Sequence, residues 1–158
     1  MKKTIAIILL VTLLVAALPA SALAATKYTV YRVNTKSDNL MVHSQPNDSK
    51  ATRIGYLPKD AAVVVLKKSG KWRQVKNDRG LVGWVYGSYL ATGAYAKVNT
   101  KETGLNIHKT ADTKKQTVIG SAPKGAKVLV KTLKGDLAEI TYQKLKGWAF
   151  RSYLKWIA

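Results

Sequence analysis

Two histidines, His43 and His108, are the only side chains in this sequence whose ordinary proton chemistry lies near neutral pH. There is no cysteine, which removes thiol nucleophiles, disulfides and thiolate metal ligands. A serine triad needs a histidine beside the nucleophile and an acid behind it. A zinc site usually takes three or four protein ligands. The histidines close two short apolar segments, Leu40-Met41-Val42-His43 and Leu105-Asn106-Ile107-His108, with no His, Asp or Glu cluster at ligand spacing around either. Both read as structural or loop-facing. Most of the acidic residues fall in segments of turn composition, where a carboxylate serves local backbone hydrogen bonds. Glu139 is the exception, on an expected strand. No glycine-rich phosphate loop or dinucleotide fingerprint occurs. The expectation is a protein that is not an enzyme, with no catalytic residue, no metal and no cofactor.

The residue types favour binding instead. Aromatic rings supply large, rigid contact area at small entropic cost. Trp72, Trp84, Tyr86 and Tyr89 lie in one half of the chain, and Trp148, Phe150 and Tyr153 in the other. In Gly83-Trp84-Val85-Tyr86 a strand's alternation sets Val85 against Trp84 and Tyr86. If Val85 enters the core, the two rings face away from it. Lys67, Lys68, Lys71, Arg73 and Lys76 surround the first group, and Lys127, Lys131, Lys134, Lys144 and Lys146 the second. Such lysines on a strand's outer face also guard sheet edges.

The elements that must position these rings come in two copies. A shift of 65 positions lays Val33-Asn34-Thr35-Lys36 on Val98-Asn99-Thr100-Lys101. The same shift pairs Ile54-Gly55 with Ile119-Gly120, Pro58-Lys59 with Pro123-Lys124, and Gly70 with Gly135. After one deletion, a shift of 64 pairs Gly83-Trp84 with Gly147-Trp148 and Ser88-Tyr89-Leu90 with Ser152-Tyr153-Leu154. One register held across a whole module marks a duplication. Within each copy, short β-branched runs such as Ala62 to Lys67 alternate with turn signals such as Pro58-Lys59-Asp60, Ser69-Gly70-Lys71 and Asn77-Asp78-Arg79-Gly80. No helical period is sustained beyond the first segment. The reading is all-β, two small barrels or sandwiches joined by the connector Ala91-Thr92-Gly93-Ala94. The copies differ at one aromatic position: Trp72 is matched by Leu137. This favours Trp72 as a ligand-facing ring and the first copy as the working one.

The order Val-Asn-Thr, Leu-x-Val, Ile-Gly-x-Leu-Pro-Lys, Gly-Lys-Trp-x-x-Val and Gly-Trp-Val-x-x-x-Tyr-Leu resembles the bacterial SH3 (SH3b) family. The resemblance covers residues 28–90 and 95–154. It implies two SH3-like partly open barrels in tandem, a short 3₁₀ turn between Tyr86 and Tyr89, and a groove faced by Tyr89 and Tyr153. The ligand-binding set expected on this basis is Trp72, Trp84, Tyr86, Tyr89, Trp148 and Tyr153. The chain departs from the family where His43 and His108 replace an arginine and where the following glycine is absent from both copies.

Residues 1–24 read as a helical signal peptide. Lys2 and Lys3 precede an apolar run from Ile5 to Leu18, shorter than the roughly 20 residues of a spanning helix. Ala22-Leu23-Ala24 is the small-x-small cleavage pattern. Beyond it, no apolar run is long enough to span a bilayer. The whole chain carries 27 Lys and Arg against 8 Asp and Glu, a net charge of +19, and both halves share the excess. Such a chain attracts polyanions. The expected function is that of a secreted or envelope-associated protein that binds peptidoglycan peptide or glycan together with anionic wall polymers. The alternatives are an extracellular nucleic-acid binder, which lacks any recognised nucleic-acid motif, and a module that binds a partner protein. The oligomeric state is left open.

Overall fold

The computed structural model describes residues 26–36, 39–113 and 115–157. The expected signal peptide, residues 1–24, lies outside them. The described residues form β-strands and four short 3₁₀ turns, with no α-helix among them. The first half holds β1 (Lys27–Val33), β2 (Leu40–His43), β3 (Arg53–Leu57), β4 (Ala62–Ser69), β5 (Trp72–Asn77), β6 (Val82–Tyr86) and β7 (Leu90–Thr92). The second holds β8 (Ala94–Val98), β9 (Leu105–His108), β10 (Val118–Ala122), β11 (Lys127–Lys134), β12 (Leu137–Tyr142), β13 (Leu145–Phe150) and β14 (Leu154–Trp156). One of the 3₁₀ turns, Gly87–Tyr89, falls where the sequence resemblance implies it.

The pairings are antiparallel and repeat between halves residue for residue. Leu40 faces Leu57 as Leu105 faces Ala122. Trp72 faces Tyr86 as Leu137 faces Phe150. The ladder of β4 with β5 skips a residue between Val65 and Lys67, and that of β11 with β12 skips one between Val130 and Thr132. A bulge kept at the same place in both copies bends both sheets alike. The hairpin turns after β4 and β11 are made by Gly70 and Gly135 at φ of 52° and 55°, a region open to glycine without steric strain. At the turn before β4, Asp60 takes φ 64° where its counterpart Gly125 takes 81°. Asp is one of the few non-glycine residues that adopt this conformation.

Alternation along these strands fills two cores. Val33, Val42, Leu57, Val63, Val75 and Val85 form the first. Val98, Ile107, Val128, Val130, Ile140 and Ala149 anchor the second. Val85 and Ala149 are each fully buried, as the alternation of Gly83-Trp84-Val85-Tyr86 and its repeat requires.

One strand belongs to both halves. Lys27, Tyr28 and Thr29 of β1 pair with Lys134, Leu133 and Thr132 of β11. Val30, Tyr31 and Arg32 then pair with Val64, Val63 and Ala62 of β4. A single sheet of 14 strands results, and Val30 packs into the second core. The expected connector Ala91–Ala94 is corrected by the same geometry. Ala91 and Thr92 pair with β1, and Ala94 pairs with Val130. Only Gly93, at φ 81°, lies between strands, and its N–H donates to the Val30 carbonyl at 2.8 Å. Backbone groups that a linker would leave to water are here taken up by neighbouring strands.

Candidate functional site

In the first half an aromatic cluster forms on the outer side of β5 and β6. Trp72 lies on the face opposite the inward-pointing Val75 and is nevertheless only 5% exposed. Tyr86 stacks on it, with ring centroids 4.2 Å apart and planes at 29°. His43 meets it edge-on at 5.4 Å and 73°. The expectation that Trp72 is an open, ligand-facing ring is therefore corrected: rings on the outer face cover one another. The Tyr86 hydroxyl donates to Asp48 Oδ2, and the Lys71 ammonium stands 4.8 Å from the Tyr86 ring centre. Its hydrogen bond and charge interaction with Tyr86, aided by the Asp48 carboxylate, hold the Lys71 pKa above the ordinary lysine value against partial desolvation. Tyr86 is thus held at its ring face by Trp72 and Lys71 and at its hydroxyl by Asp48. Trp84 is half-buried, and Tyr89 is exposed.

The two histidines are buried and partnered. Thr52 Oγ1 has one proton, which it gives to the Ser49 carbonyl at 2.8 Å or Asn47 Oδ1 at 3.0 Å. Its oxygen then accepts from His43 Nδ1 at 2.9 Å, which assigns the ring proton to Nδ1. His108 and Thr117 repeat this arrangement at 2.9 Å, with Thr117 donating to the Asp112 carbonyl at 2.6 Å. Among the described residues no group of three or more His, Cys, Asp or Glu could hold a metal ion.

The second half opens where the first is filled. Phe150 stands at the position of Tyr86 and Thr113 at that of Asp48, so the hydroxyl–carboxylate tie has no counterpart. Leu137 replaces the stacked indole of Trp72. A groove of about 860 Å³ lies here, lined by Phe150, Tyr153, His108, Asn106, Lys101 and Glu102 among others. Phe150 is 39% and Tyr153 46% exposed. The loop 100–104 forms one bank, braced by Thr100 Oγ1 donating to the Thr103 carbonyl and by Lys124 Nζ donating to the Lys101 carbonyl at 2.6 Å. The described groove is thus in the second copy, although the sequence favours the first. Of the expected residues it gathers Tyr153 alone. Trp148 is half-buried on β13, paired with His108 and Glu139. Phe150 is outside the set expected from the sequence; without a hydroxyl, and opposite Leu137 rather than a tryptophan, it lacks the contacts that hold Tyr86.

Glu139 serves the second copy's architecture. It accepts from Thr132 Oγ1 at 2.7 Å and pairs with Lys146 Nζ at 3.0 Å. Burial pushes its carboxyl pKa up, but Thr132, Lys146 and the charge of Lys27 outweigh this and hold it below the ordinary glutamate value.

The chain is similar to two solved structures from Trichomonas vaginalis. With NlpC2 it shares 19% identity at a TM-score of 0.44, covering 82% of this chain and 48% of that one. With NlpC1 it shares 20% identity at a TM-score of 0.44, covering 85% and 48%. The chain therefore spans about half the length of each. No curated protein matches it. Residues 38–91 match the family model described as bacterial SH3 domain, which places one such domain in the first half of the chain.

Proposed function

We propose that this chain is an exported, non-catalytic protein that attaches to the bacterial cell wall through two SH3-like partly open barrels in tandem. The repeated strand register supports reading the second half as a second copy of the domain matched in the first. The observation that carries the binding role is the groove beside Phe150 and Tyr153. It offers two exposed ring faces with a lysine and a glutamate, Lys101 and Glu102, at its bank. A peptidoglycan stem peptide has apolar side chains and both signs of charge, which fits this mixture better than glycan alone.

Retention on purified sacculi stripped of anionic wall polymers tests the reading. Tyr153→Ala and Phe150→Ala are expected to weaken retention by about 10-fold or more, the loss typical of an exposed aromatic anchor worth roughly 2 kcal/mol. Incubation with labelled sacculi is expected to release no peptide or sugar. Absence of retention at low salt, or retention indifferent to both substitutions, would overturn the groove as the working site.

A further inference from the structure

We propose a second binding site, separate from the groove, on the outer face of β14, β8 and β11, and we assign it to a linear phosphodiester polymer that carries no bases. Strand pairing sets Lys155 opposite Lys97, and Lys97 opposite Lys127. Lys97 lies between Ala96 and Val98, both buried, so all three lysines project from the face away from the core. All three are exposed. Neighbouring strands are about 4.8 Å apart, so the three lysines are rooted in a short row across the strands. Among the described residues none of the three makes an ion pair; the pairs formed are Arg32 with Asp60 and Lys146 with Glu139. Like charges directly opposite on adjacent strands destabilise a sheet. The fold does not demand them: at the equivalent positions the first half has Ala91, Arg32 and Ala62, in the same register. A row of unpaired cations maintained at a cost to the sheet fits a ligand that supplies the missing negative charge at regular spacing.

The neighbouring ring decides which polyanion. Tyr95 lies two residues before Lys97 on the same face and is 36% exposed. Lys127 Nζ sits 4.0 Å and the Arg32 guanidinium 5.9 Å from its ring centre. A nucleic-acid strand binds through aromatic faces open to stacked bases. Here the cations occupy the ring, which holds them in place rather than receiving a base. A polyol-phosphate chain of the kind attached to cell walls needs only the charges. This choice of source rests on the wall-binding reading above; the existence of the site does not.

The test uses the full exported chain, purified glycerol-phosphate teichoic acid, and an oligothymidylate with the same number of phosphates. The wild type is expected to bind the teichoic acid with affinity that falls steeply with salt. Lys97→Glu is expected to weaken that binding on the order of 10-fold and to flatten the salt dependence by about one counterion for each phosphate no longer neutralised. The same substitution is expected to leave the thermal midpoint unchanged or raised, because the new carboxylate faces Lys155 and Lys127. Tyr153→Ala is expected to leave teichoic-acid binding intact, which separates failure of this site from failure of the groove. Teichoic-acid binding unchanged by Lys97→Glu would overturn the site. Oligothymidylate bound as tightly as teichoic acid would overturn the assignment to a base-free polymer.

Discussion

Gly83 and Gly147 precede the two repeated tryptophans, and neither is there for a turn. A Cβ on Gly83 would run into Val42 Cγ1 and come within 2.8 Å of the His43 carbonyl oxygen. On Gly147 it would run into the His108 carbonyl and lie 2.8 Å from Ile107 Cγ2. The backbones of β6 and β2, and of β13 and β9, approach too closely for a methyl group. Gly83→Ala and Gly147→Ala are expected to destabilise the protein by about 1–3 kcal/mol each, the range of core overpacking, read from urea unfolding midpoints. Glu139 makes a pH-dependent contribution at the same scale. Its pKa is depressed in the folded state, so its stabilisation is complete above its unfolded value and is lost as pH falls through the folded one. Glu139→Gln is expected to lower stability near neutral pH by about 1 kcal/mol and to reduce the loss of stability on acidification. Equal acid sensitivity in wild type and variant would rule this out. The glycines and the acid are visible as residues in the sequence. Their work is not, because it depends on which strands pair and how closely they approach.

At the scale of elements, β1 and the β7–β8 turn couple the two halves. Gly93 and Gly125 share a φ of 81°, but their surroundings differ. A Cβ on Gly93 would stand 2.9 Å from Leu129 Cδ1, whereas one on Gly125 meets nothing within 4 Å. Both alanine variants incur the strain of the left-handed region, about 1–2 kcal/mol. Gly93→Ala is expected to be less stable still, by about 0.5–1.5 kcal/mol, the cost of moving the Leu129 side chain off its rotamer. That difference, measured by chemical denaturation of the two variants, isolates packing at the junction. Most strands are legible from β-branched runs and turn residues. The division of β1 is not: Tyr28-Thr29-Val30-Tyr31 reads as one strand, and nothing local marks where its partner changes from β11 to β4.

At the scale of the molecule, one sheet runs through both cores, and this favours concerted unfolding. Calorimetric and van't Hoff enthalpies are expected to agree for the whole chain, as for a single cooperative unit. A calorimetric enthalpy about twice the van't Hoff value would instead show two halves melting independently. The positive charge is distributed over this body unevenly in consequence: both halves carry a similar excess, yet only the second aligns three lysines across adjacent strands.

The internal repeat, most of the strands, the basic character and the resemblance to bacterial SH3 domains are legible in the residues alone. These follow from side-chain alternation, turn chemistry and a self-alignment, all of which are local or one-dimensional. Which rings are open depends on how the strands come together in space. Trp72, Tyr86 and His43 come from three separate strands and bury one another, while Phe150, lacking one hydroxyl, leaves a groove beside Tyr153. Likewise Lys97, Lys127 and Lys155 are unremarkable along the chain and become a row only through pairing. The two side chains best suited to proton chemistry, His43 and His108, are buried, each bonded to a threonine nine residues along the chain, and His108 also lines the groove. Alternation tells which face of a strand a side chain takes; what else occupies that face depends on contacts between residues distant in sequence.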